Sequence, residues 1–395
     1  VIKNNITEIK IKLILLFCGL IVFSPLSSFI TMEILKLNFA FPELLFLPFY
    51  LALRKRMDLK VKITATNILL FFLFIFLLVL SFILQNFRET SILSTARGYF
   101  YMLLSFSIFC GKNDTSIQDI MILCLGSTIG WCLLGIAQFI QLPYMSDTES
   151  SLGVYGNMVT LALLICICII YRNYKLVILS IFLGILLSFT TGLRRQIIVF
   201  VFSVLLAYAF IIFGRLKNYK RLFLILVIFT VGLVYSYPYA KEYVNNVSPL
   251  LQHRIFLKSE QFVKGEYSES DVLRADYINH FIRTLDEFML PRGYVSKRTM
   301  EDKGTGIFMD LPFIELSYML GLIVLTFFLI YFLKCIFNQI KRYLYTTNKE
   351  SAIWATSAII LLVLLFIEGS NLNYAYIAPF TGLILGKLSS YKNVK

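Results

Sequence analysis

The stretch Ile63–Leu84, ITATNILLFFLFIFLLVLSFIL, decides the fold class. It runs for 22 residues without an Asp, Glu, Lys or Arg. A helix rises 1.5 Å per residue, so ~20 apolar residues cover the ~30 Å hydrocarbon core of a bilayer. Ile197–Phe213 and Leu222–Val234 are apolar runs of the same kind. The 395-residue chain around them is 58% hydrophobic and 15% charged, with a mean hydropathy of +0.78. Soluble domains carry ~25% charged residues. The composition therefore describes an all-α polytopic membrane protein. It excludes a soluble enzyme, a nucleic-acid binder and a secreted disulfide scaffold.

Reading outward from Ile63–Leu84 gives twelve expected spans, at roughly 11–30, 36–53, 63–84, 98–111, 117–141, 153–171, 176–192, 196–213, 222–239, 313–333, 352–367 and 373–387. Lys3, Lys10 and Lys12 precede the first, which ends near Ser24-Pro25-Leu26-Ser27-Ser28. That pattern imitates a cleavable signal peptide, but a further span follows at once, so it reads as a retained signal anchor. Pro42 and Pro48 interrupt the second span, a break tolerated where neighbouring helices re-satisfy the backbone. Three regions result: 1–239 with spans one to nine, a loop at 240–312, and 313–395 with the last three spans.

Orientation follows from the basic residues. With both termini in the cytoplasm, inner segments hold 22 of the 37 Lys and Arg, including Arg54, Lys55, Arg56, Arg215, Lys217, Lys220 and Arg221. Ten of the other fifteen lie in the long loop, which the positive-inside rule discounts. The net charge of +14 is thus the mark of cytoplasmic loops and not of a nucleic-acid surface. Cys18, Cys110, Cys124, Cys132, Cys166, Cys168 and Cys335 all fall in or beside apolar runs and act as small hydrophobes. Cys166 and Cys168 point ~200° apart on a helix, and no Cys/His set has metal-ligand spacing.

The loop at 240–312 is too long for a mere connector. It holds ten basic and eleven acidic residues and both histidines, His253 and His280. Its pattern predicts two helices, near 248–264 and 270–288. Ser248-Pro249 would open the first; the second would start after Ser270-Asp271 and stop before Pro291 and Gly293.

Polar residues collect at the outer boundary. Thr191-Gly192-Leu193-Arg194-Arg195-Gln196 puts two arginines there between apolar runs with almost no loop. Snorkelling to lipid phosphates is the plainer account, but twin outer arginines run against the positive-inside tendency, and ionisable groups among spans tend to mark substrate pathways. Arg88, Arg97, Asp310, Glu315, Glu368, Asn371, Asn373 and Glu43 would join them. Together they describe a cationic floor with a few carboxylates, roofed by the loop. A diphosphate carried on a lipid fits such a floor, because guanidinium grips phosphate bidentately. Tyr243, Tyr267, Tyr277 and Tyr294 would offer an attached sugar stacking faces.

The loop reads Leu273-Arg274-Ala275-Asp276-Tyr277, then Leu290-Pro291-Arg292-Gly293-Tyr294. It continues as Asp310-Leu311-Pro312-Phe313-Ile314-Glu315-Leu316-Ser317-Tyr318-Met319-Leu320-Gly321-Leu322-Ile323. With Gly153-Val154-Tyr155-Gly156-Asn157 and the Arg194-Arg195 segment, this resembles the superfamily of O-antigen polymerases (Wzy) and O-antigen ligases (WaaL). The resemblance implies a GT-C-like membrane glycosyltransferase of the bacterial inner membrane that needs no cofactor or metal. Its substrates would be polyprenyl (undecaprenyl) diphosphate-linked oligosaccharides, in lipopolysaccharide or capsule synthesis, and a chain-length regulator is a partner it allows. A growing glycan would pass from one lipid diphosphate to the terminal sugar of another repeat unit. Arg194, Arg195 and Arg274 would stabilise the leaving diphosphate, with Arg97, Arg254 and Arg292 as further diphosphate contacts. His280, Asp310 and Glu315 are the candidate catalytic bases. Ligases commonly carry a histidine where Asp310 stands, so the polymerase activity is favoured over transfer to lipid A-core.

The main rival is a lipid-linked oligosaccharide or solute transporter. Transporters usually show repeat symmetry and bind at the membrane midplane. Here no halves match and the ionisable residues gather at the boundary. A non-catalytic membrane scaffold is the third reading.

Overall fold

The computed structural model describes residues 2–30, 65–84, 91–110, 116–141, 158–191, 194–213, 269–294, 312–367 and 376–389, with scattered positions between 235 and 264. The described helices are α1 (Ile2–Val22), α2 (Leu26–Phe29), α3 (Ala65–Leu84), α4 (Ser91–Phe109), α5 (Ile117–Gln141), α6 (Met158–Ile170), α7 (Tyr174–Thr191), α8 (Arg194–Phe213), α9 (Glu269–Arg283), α10 (Pro312–Leu320), α11 (Leu322–Thr346), α12 (Lys349–Ile367) and α13 (Ala378–Ser389). A 3₁₀ turn, Leu285–Phe288, follows α9. Among the described residues there is no strand. Among the described residues, four helical segments are long and apolar enough to cross a membrane: Ala65–Leu84, Ile117–Ala137, Leu322–Thr346 and Lys349–Phe366. The chain is an α-helical membrane protein. The expected spans at 36–53 and 222–239 and the loop helix at 248–264 lie wholly or almost wholly outside the described residues.

The chain forms two compact units. The first comprises Val1–Leu59, Asn113–Ser259 and Tyr343–Ile360. Its centre is α6, thirteen residues long with every side chain buried. With no side chain of Met158–Ile170 left exposed, α6 packs on all sides against other parts of the chain. A tight turn leads from it to α7. Arg172 takes a left-handed φ of 58°; its N–H bonds to the Ile169 carbonyl at 3.0 Å, and the Asn173 N–H to the Cys168 carbonyl at 3.0 Å. This is a Schellman stop, formed with an arginine where glycine is usual.

Helices α1 and α5 cross closely in this unit. A methyl added to Gly19 would lie 3.0 Å from the Gly126 Cα, and one on Gly126 would strike the Leu16 carbonyl. Gly126 and Gly130 are four apart, the small-residue spacing that brings membrane helices together. The Ser127 hydroxyl donates across the crossing to the Phe23 carbonyl at 2.6 Å. The first helix stops at Val22 and not near residue 30: Ser24 bonds back to the Leu20 carbonyl, and Pro25 opens the short α2. All seven cysteines are free, and five of them are buried.

The second unit comprises Lys60–Lys112, Glu260–Arg342 and Leu361–Lys395. Here α13 lies on α4 through a second small-residue pair, Gly382 and Gly386. A methyl on Gly382 would strike the Met102 carbonyl, and one on Gly386 would sit 2.8 Å from the Phe106 carbonyl. The Ser105 hydroxyl donates to the Pro379 carbonyl at 2.6 Å. Gly382→Leu is therefore expected to destabilise the protein by ~1–3 kcal/mol through overpacking, read as a lowered Tm in detergent.

The loop helix expected at 270–288 forms as α9 plus the 3₁₀ turn. It docks by aromatic packing: Phe281 and Phe288 meet edge-on, ring centroids 4.7 Å apart, and bury against Ile314 of α10. The span expected at 313–333 is broken. Gly321, at φ 77°, separates α10 from α11, and the long apolar helix begins at Leu322.

Candidate functional site

The break at Gly321 creates a docking place for the loop. Carbonyls in the last turn of a helix have no partner along their own helix. Here two of them, Tyr318 and Met319, accept from the N–H groups of Arg292 (3.1 Å) and Gly293 (3.2 Å). The Leu290-Pro291-Arg292-Gly293-Tyr294 segment is thus tied to the end of α10 through its backbone. Gly293 has a φ of 82°, and a methyl on it would sit 2.6 Å from the Leu77 carbonyl and 2.8 Å from the Ser81 amide nitrogen. Only glycine supplies both that backbone angle and that clearance. The segment consequently lies directly on α3.

This docking buries Tyr294, which is 2% exposed. Its ring centroid is 5.4 Å from that of Tyr99 on α4 and 5.6 Å from that of Phe74 on α3. Burial pushes the Tyr294 phenol well above its ordinary pKa, so the ring is a neutral wall. The Tyr99 hydroxyl donates to the Glu315 Oε1 at 3.3 Å. Glu315 is 4% exposed and stands on α10.

Tyr99, Tyr294 and Glu315 line a cavity of about 230 Å³ in the second unit. Its remaining walls are almost entirely apolar, drawn from α3, α4, α10, α11, α12 and α13. Along α11 the lining runs from Leu325 to Cys335, ~15 Å at helical rise. A 150 Å³ apolar cavity accepts benzene, so this slot has room for a longer piece of hydrocarbon. Among the described residues that line it there is no Lys, Arg or His.

Among the described candidate catalytic and diphosphate-binding residues, Glu315 alone lines the cavity, together with Tyr294 from the loop's tyrosines. Arg292 stands nearby. Its guanidinium lies 5.5 Å from the Tyr318 ring centroid and 3.7 Å from Glu287, a half-exposed ion pair of the kind that contributes little to stability. Arg97 is half-buried on α4, two residues before Tyr99. His280 is exposed on α9, beside the buried Phe281, and does not line the cavity. Arg194 and Arg195 open α8, and Arg274 lies within α9; their side chains are outside the described residues, as are Arg254, Asp310, His253, Arg88, Glu43, Glu368, Asn371 and Asn373 altogether.

One placement differs from expectation. Tyr294 does not offer a face to an outer sugar: it is packed inward as part of the cavity wall. Tyr99 and Ser81 carry no mark in the sequence of their place at the site. The signal that could have found the docking was the pair Gly293 and Gly321, each next to residues that must change direction. No family model matches the chain, and neither a curated protein nor a solved structure does.

Proposed function

We propose that this protein is a polysaccharide repeat-unit polymerase of the bacterial inner membrane, with twelve spans and the 240–312 loop outside the cytoplasm. It would transfer a growing glycan from polyprenyl diphosphate to a lipid-linked acceptor. The observation that carries the reading is Glu315, a buried carboxyl bonded to a phenol at an apolar slot within an all-helical membrane protein. A glycosyl transfer from a lipid diphosphate needs a base for the acceptor hydroxyl beside a place for hydrocarbon. In the reaction the acceptor oxygen bonds to the anomeric carbon while its proton passes to Glu315. The bond from that carbon to the diphosphate oxygen breaks, and its electron pair leaves with the lipid diphosphate. A carboxylate held at the head of such a slot is suited to that proton transfer. Charge developing on the leaving group would be met by Arg274, by electrostatic stabilisation, the role that the resemblance also gives Arg194 and Arg195.

The test is reconstitution of purified protein with lipid diphosphate-linked repeat units, without nucleotide sugar or added metal. A ladder of products on a gel supports polymerase activity. Transfer only on addition of a lipid A-core acceptor would replace it with ligase activity. In the same assay Arg274→Lys should remain impaired by ~10-fold or more, because an ammonium lacks the planar fork. Wild-type rates in that variant would remove Arg274 from the diphosphate site.

Glu315 also favours a second reading, a proton-coupled transporter, since buried carboxyls among spans serve as proton relays. That protein would move substrate across vesicles and make no new glycosidic bond.

A further inference from the structure

The cavity's polar end is assembled from elements far apart in sequence, and one small side chain joins them. Ser81 is fully buried on α3, a helix whose other side chains are mostly exposed. Its hydroxyl donates to the Leu77 carbonyl one turn back, at 2.5 Å. Serines in membrane helices commonly do this. Ser81 also accepts, at 2.5 Å, the backbone N–H of Tyr294, which is 213 residues away.

That second bond has consequences along a line of contacts. The Tyr294 amide is buried and would be costly to leave without a partner. With it fixed, the Tyr294 ring is fixed against Tyr99, and the Tyr99 hydroxyl is held toward Glu315. Gly293, immediately before, admits no side chain: a Cβ there would fall on the Ser81 hydroxyl. The close approach of loop to helix thus depends on Gly293, and the polar link across it on Ser81.

We infer that Ser81 is a positioning residue for Glu315, latching the Tyr294 segment to α3 so that Tyr99 and Tyr294 hold the carboxyl at the head of the apolar slot. This role rests on the transferase reading for its catalytic consequence, but the latch itself is independent of it. Loss of the hydroxyl frees the Tyr294 amide and lets both rings shift, while the walls of the slot stay apolar and filled. Substrate binding is retained and turnover is lost.

The experiment uses the full chain in detergent or vesicles, with Ser81→Ala and the conservative Ser81→Cys, whose sulfur can still accept weakly. Hydrogen exchange read on the peptide containing Tyr294 should quicken ~10-fold or more in Ser81→Ala and less in Ser81→Cys. In the ladder assay Ser81→Ala should lower kcat by ~10- to 100-fold, the cost of a small misplacement, with KM within about twofold. Ser81→Cys should recover part of that loss. Unchanged exchange at Tyr294 in Ser81→Ala would overturn the latch. Faster exchange with unchanged kcat, or with a rise in KM alone, would overturn the positioning role and leave a structural bond. A wild-type protein that makes no product at all would sink the transferase reading, while the exchange measurement would still decide the latch.

Discussion

Glu315→Gln should reduce glycan transfer by ~10²- to 10⁴-fold, the range for loss of a general base, with little effect on folding. Glutamine keeps the shape and can still accept from the Tyr99 hydroxyl, but it cannot take a proton. A variant with wild-type turnover would exclude Glu315 as the base and leave His280 or Asp310.

The contrast between Glu315 and Tyr294 shows what hydropathy and motif reading can and cannot supply. Long runs such as Ile63–Leu84 specify helices because a backbone in hydrocarbon must satisfy its own hydrogen bonds, and period and length are enough to see that. Glu315 stands out because a carboxylate beside an apolar run is costly. Tyr294 stands out only as one of the loop's tyrosines, with an outward face expected of it. Its burial follows from a backbone contact with α3 made possible by Gly293, and a one-dimensional pattern carries no information on which helix a loop will meet. The same holds for the crossings at Gly126 and Gly382, where the i, i+4 glycine spacing was present but the partner helix was not. The broken span at 313–333 is of another kind. Hydropathy is continuous across Gly321, whereas φ is not, and the site depends on φ.

Gly321→Ala tests that dependence and is expected to be the most damaging single change in the second unit. Two costs act together. A left-handed backbone costs an alanine ~1–2 kcal/mol. In addition, the new methyl would sit 2.7 Å from the Met289 carbonyl oxygen and 2.8 Å from both the Leu290 carbonyl carbon and the Pro291 nitrogen. All three are backbone atoms, so no rotamer change relieves the clash; the segment carrying Tyr294 must move. Relaxing the angle toward a normal helical φ would fuse α10 to α11 and take the Tyr318 and Met319 carbonyls into the continuous ladder. The N–H groups of Arg292 and Gly293 would then lose their acceptors. The expected result is a drop of several degrees in Tm together with fast exchange at Tyr294 and loss of turnover. Gly293→Ala should act on the same docking from its other side. Because both substitutions undo one contact, the double variant should be less destabilised than the sum of the singles. Strict additivity would mean that the two glycines serve separate structures, and that the loop is not held to the head of the slot through the α10–α11 break.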